Sequence, residues 1–189
     1  MPSTHMRDDR DSGLNLVPAA LTTRTERLTA SGHWLLPAAP VLEDANADWK
    51  NKGSAWLRPG ILFGAVILPA SLVHAALGLD DPVTCAAPLA EGLEGGPVFC
   101  TPKGFGREGS YVALVPASAS LAWDVPGSVS HPCRALLQVP APDVIEPQED
   151  GPWWVVPLDG PGLLCPPDRL AALVNLGRDA KAHAAAGDE

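Results

Sequence analysis

The clearest pattern along the chain is ILFGAVIL at 61–68, apolar at every position. It is entered through Pro59-Gly60 and left through Pro69-Ala70-Ser71. A strand that is apolar on both sides needs cover on both faces. The run therefore predicts a buried strand over 61–68 in a layered domain, followed by a short helix over 71–77.

The remaining elements are shorter and are cut by proline and glycine. HWLLP at 33–37 reads as a first strand, closed by Pro37 and Pro40. Residues 41–56 read as loop and irregular helix, with Trp49 and Trp56 seven apart as anchors on one helical face. Asp80-Asp81-Pro82 is a turn or cap signal ahead of a helix over 86–93, which Gly95-Gly96 closes. PVFCT at 97–101 and SYVALV at 110–115 flank a polar, glycine-containing loop and predict an antiparallel hairpin. Short strands follow at 135–139, at 152–157 (bracketed by prolines and so at an edge or at the end of a hairpin) and at 163–165; a helix over 169–177 closes the domain. A short helix is also expected within 18–28. This mixed order with hairpins specifies an α+β fold: a mixed, mostly antiparallel sheet with a few short helices, rich in loops and proline. It implies a single domain over 31–177 between mobile tails at 1–30 and 178–189.

Composition sharpens this picture. With 21 prolines and 18 glycines in 189 residues, the elements must be short. A hydrophobic content of 46% is enough for a core. The formal net charge of −9, from 13 basic and 22 acidic residues, argues against a general nucleic-acid-binding surface. No run of apolar residues is long enough for a membrane span, and the start of the chain carries no apolar leader. No membrane partner and a cytoplasmic location are therefore expected. The cysteines at 85, 100, 133 and 165 form no C-x-x-C pair and predict four reduced, buried thiols rather than a metal centre.

Candidate chemistry is sparse. Gly104, Gly106 and Gly109 match a bare G-x-G-x-x-G, but a strand follows where a dinucleotide loop needs a helix, so a hairpin tip is the better reading. Lys103 and Arg107 on that tip are candidate ligands for an anion. His131 and Cys133 place a base near a thiol, but Pro132 keeps the backbone extended and turns the two side chains apart. His33 and His74 read as core or boundary residues. The carboxylates fall in turns and loops, with no D-x-D or D-x-E pair in any strand. Trp153 and Trp154 either fill a loop-rich core or form an aromatic contact patch, and so join Lys103 and Arg107 as candidate binding residues. No residue is assigned as catalytic or as a metal ligand, and no cofactor is implied.

Four segments in sequence carry a resemblance: HWLLPAAP, FGAVILPASLVHAAL, GPVFCTPKGFGREGSYVALVPASA and GPWWVVPLDGPGLLCPPDRLAAL, together spanning about 33–173. In pattern and order they resemble the N-terminal domain of bifunctional DNA primase/polymerase proteins of high-GC bacterial genomes. The resemblance implies two metal-binding aspartates in the central strand, in an h-D-h-D arrangement. Here that strand carries no acid, so Mg²⁺ would have no protein anchor. The chain is thus expected to be a primase/polymerase-like pseudoenzyme acting as a binding or regulatory module, linked to DNA replication or a mobile element. Its partner is expected to be another protein, with a nucleotide or nucleic acid as a further possibility. A protein–protein interaction domain unrelated to nucleic acid is the alternative, and a small enzyme using the His131/Cys133 region is the third.

Overall fold

The structure, a computed structural model, describes residues 23–102 and 109–187. Helix α1 (Arg24–Leu35) opens on a capping box: Thr23 Oγ1 accepts from the Glu26 amide, and Glu26 accepts from the Thr23 amide. A 3-10 turn (Leu36–Ala38) leads to α2 (Leu42–Lys52) and strand β1 (Ser54–Leu57). Strand β2 (Gly64–Pro69) runs directly into α3 (Ala70–Leu77), and α4 (Pro82–Gly92) follows with Asp81 as its cap and Pro82 in its first turn. Then come β3 (Val98–Thr101), β4 (Ser110–Val115), α5 (Ala117–Leu121), β5 (Val129–Ser130), β6 (Leu137–Pro140), β7 (Trp153–Val156) and α6 (Pro167–Gly187).

Five strands form one antiparallel sheet in the order β5-β2-β4-β3-β7, and β1 pairs with β6 in a separate antiparallel ribbon. The α+β class with antiparallel sheets is as the sequence predicts, and so are the β3–β4 pairing and β7 at an edge. Successive side chains of a strand point to opposite faces, and the main sheet uses this to divide two cores. Val66 and Leu68 of β2, with Tyr111, Ala113 and Val115 of β4, face α3, α4 and α6. Ala65 and Ile67, with Val112 and Leu114, face the ribbon and the segment carrying α1. The predicted strand is therefore covered on both faces from Gly64 to Leu68, where its ladder runs, while Ile61 at its expected start is exposed and precedes the ladder. Each large aliphatic side chain so buried contributes about 1.5–3 kcal/mol, which makes this sheet the main source of stability.

Several expectations are corrected. HWLLP at 33–37 is not a strand but the last turn of α1 and the 3-10 turn. Trp34-Leu35-Leu36 is too short an apolar run to separate the two periods. Residues 163–165 form no strand, and Cys165 instead donates its amide to the Leu114 carbonyl. The last helix passes Gly177 and ends at Gly187. Gly177 does not terminate it because that glycine lies against α3, where a side chain has no room. Trp49 and Trp56 do not share a helix face, since Trp56 belongs to β1.

Candidate functional site

One cleft of the described surface lies between two proline-bearing connectors. Its first wall is Pro37-Ala38-Ala39-Pro40, which starts inside the 3-10 turn and becomes extended at Ala39. Its second wall is Arg58 to Leu62, between β1 and β2. The Arg58 amide donates to the Ala38 carbonyl at 2.7 Å and ties the walls together at one end. Gly60 closes the turn with φ +123° and donates its amide to the Phe63 carbonyl at 2.7 Å. A Cβ at position 60 would stand 2.7 Å from Cys133 Cβ, so glycine is required there by both backbone angle and space. Cys133 completes the lining of a cleft of about 390 Å³. Ile61 stands on its rim with 91% of its surface exposed.

A second cleft of about 190 Å³ adjoins the first through Pro40 and is lined by Val41, Asp44, Ala45, Asp48 and Trp56. Alternation along β1 buries Ala55 and Leu57 against the inner core and turns Trp56 and Arg58 outward. Trp56 is half-exposed and lies opposite Gln138 of β6. The other five tryptophans are buried or partly buried. Trp49 donates Nε1–H to the Val139 carbonyl at 3.2 Å, and Trp123 donates to Ser128 Oγ at 2.9 Å.

The residues singled out from the sequence are scattered. Lys103 and Arg107 lie outside the described residues. Trp153 faces the helix-side core and Trp154 the ribbon-side core, each almost wholly buried, so neither belongs to an exposed patch. Trp154 packs edge-to-face on Phe99 at 5.3 Å and donates to the Ala141 carbonyl at 3.0 Å. His131 is buried, with Nδ1 3.1 Å from the Pro132 carbonyl oxygen. Burial lowers its pKa, against the opposing pull of the Pro132 and Leu136 carbonyls. Cys133 is exposed on the cleft, which corrects the expectation of four buried thiols. The imidazole is buried and the thiol faces solvent, so the two form no acid–base pair. What parts them is a turn, in which the Pro132 carbonyl accepts from the Ala135 amide at 3.0 Å, and not an extended backbone, which would put residues two apart on one face.

Cys85, Cys100 and Cys165 are buried, and desolvation pushes Cys100 up to about 11 and Cys165 up to about 12. His74 meets the Tyr111 hydroxyl at 2.9 Å. This polar group inside the helix-side core is mutually satisfied, and burial raises the Tyr111 pKa. His33 is exposed rather than a core or boundary residue. Among the described residues, no group of three or more His, Cys, Asp or Glu could hold a metal ion, and no helix is long and apolar enough to cross a membrane.

The cleft is hard to see in the sequence because Ile61 continues the apolar run of β2 and Trp56 stands at helical spacing from Trp49. The usable signal was punctuation. Pro37 and Pro40 on one side and Pro59-Gly60 on the other mark two rigid connectors, and rigid connectors flank clefts. No family model matches the chain, and no curated protein or solved structure matches it either.

Proposed function

We propose that this chain is a non-catalytic, primase/polymerase-like α+β module that acts by binding another protein. The observation that supports the reading is the state of β2. The strand where the resemblance would place metal-binding aspartates is packed solid and carries no acid. A Cβ at Gly64 would fall 2.1 Å from Ser120 Cβ of α5, and Ala65, Val66, Ile67 and Leu68 are all buried. Ser120 is fixed there by a 2.8 Å hydrogen bond between its hydroxyl and that of Ser130 on β5. Two-metal phosphoryl transfer needs carboxylate oxygens converging on an open site. This strand offers neither the oxygens nor the opening, so the residues present do not fit Mg²⁺.

The test is a primer-extension and primer-synthesis assay with Mg²⁺ or Mn²⁺, template and all nucleotides. No product is expected, and metal-dependent synthesis refutes the reading.

The second reading is an interaction domain with no nucleic-acid connection, and the net charge of −9 favours it. Gel retardation of single-stranded and duplex oligonucleotides at low salt separates the two. Retardation supports the replication-linked reading, and free oligonucleotide at all protein concentrations supports the second.

A further inference from the structure

We propose that the two adjoining clefts form a docking groove for a partner protein segment that carries a lysine or arginine beside aliphatic residues. This rests on the reading of the chain as a binding module and names the surface and the partner chemistry. Trp56 presents half its surface to solvent in the smaller cleft, beside Asp44 and Asp48. An indole face attracts a cation, and carboxylates accept its N–H groups, so the three side chains together are complementary to one basic side chain. Asp48 is paired with Lys52 at 2.7 Å, while Asp44 lies exposed in the first turn of α2 next to Glu43.

The larger cleft is different in character. Its walls are proline, alanine and Leu62, with Ile61 almost fully exposed at the rim, which suits an aliphatic side chain. Among the described residues, Arg58 is the one charged residue lining it and repels a second cation there. The basic side chain is thereby directed to the Trp56 end.

The occupant follows from charge. A second copy of this chain brings another −9 and is repelled at long range, whereas a basic segment is attracted.

The test uses the full chain and fluorescence anisotropy with two labelled peptides of about ten residues, identical in leucine and proline and differing only in two arginines or two glutamates. The arginine peptide is expected to bind at least about tenfold more tightly, and to weaken as NaCl rises from about 50 to about 300 mM. Trp56→Ala, Ile61→Ser and the double change Asp44→Asn/Asp48→Asn are each expected to weaken it by about fivefold or more, while Asp179→Asn on α6 leaves it unchanged. Thermal unfolding of each variant establishes that it is folded. Equal binding of the glutamate peptide overturns the proposal, as does binding of neither peptide or indifference to the groove variants. A dimer that Trp56→Ala converts to monomer overturns it in favour of a second copy. A chain that binds no arginine peptide yet makes no extension product loses this surface and keeps the module reading.

Discussion

Gly177 offers the sharpest test of how the helices cover the sheet. It lies in the middle of α6, facing α3, and a Cβ added there would stand 2.2 Å from the Leu72 carbonyl oxygen and 3.0 Å from Leu72 Cγ. The oxygen belongs to the backbone and has no rotamer to escape into, so α3 and α6 must part by about 1 Å in a close-packed interior. Overpacking of this kind costs about 3 kcal/mol at the upper end of its usual range. Alanine recovers about 1 kcal/mol of helix propensity relative to glycine. The net expectation for Gly177→Ala is a loss of about 2 kcal/mol, or roughly 4–8 °C in Tm for a domain of this size.

Gly92, the last residue of α4, is the internal control because a Cβ there meets nothing within 4 Å. Gly92→Ala should unfold at the same temperature as the parent or a little above it. Thermal and urea unfolding followed by far-UV circular dichroism measure both. A Gly177→Ala variant as stable as the parent, or the two variants shifting together, refutes the claimed closeness of α3 and α6.

Thiol titration of the native protein should label Cys133 alone, and Cys133→Ser should abolish the reaction. The buried thiol of Cys100, pushed up to about 11, is only about one part in a thousand thiolate at about pH 8, so a second thiol reacting as fast would contradict the core assignment. Stability should also fall on the alkaline side. Cys85, Cys100 and Cys165 are held above their ordinary value of 9.0, so above that pH the unfolded chain loses protons that the folded chain keeps. Their stabilising contribution is complete below pH 9.0 and is lost as the pH rises toward the folded values of about 11 and about 12. The urea midpoint should be lower at about pH 10.5 than at about pH 8, and Cys165→Val should flatten the difference. His131 acts in the opposite direction: its lowered pKa removes stability as the pH falls below 6.5, the ordinary value for histidine.

The parts of the fold that were legible in the sequence were those where local pattern and tertiary role coincide. ILFGAVIL has no polar face, and only burial between two layers satisfies that. PVFCT and SYVALV alternate around a glycine-rich loop and pair as expected. Elsewhere a strong signal was outweighed by a more conspicuous one. Thr23-x-x-Glu26 is a capping-box signature that announces α1, yet HWLLP was read by its β-prone tryptophan and closing proline. Asp81-Pro82 marks the start of α4 itself, four residues ahead of the expected start at 86, because a capping Asp followed by Pro in the first turn is a helix beginning as well as a turn.

The cleft was less legible because its defining facts are distances between segments far apart in sequence. The approach of Gly60 to Cys133 spans more than seventy positions. Even so, the polar neighbours of Cys133 in His-Pro-Cys-Arg were a sign that this thiol differs from the other three.

The β1–β6 ribbon keeps the residues committed to folding apart from those that are free to vary. Its inward residues, Leu57, Leu137 and Val139 among them, are committed to the core, whereas Trp56 and Gln138 on the other face meet solvent, as do Asp44 and Ile61 nearby. Exchanging exposed side chains of this kind usually changes stability by less than about 0.5 kcal/mol. A handful of surface positions on this face can therefore be rewritten without repacking either core.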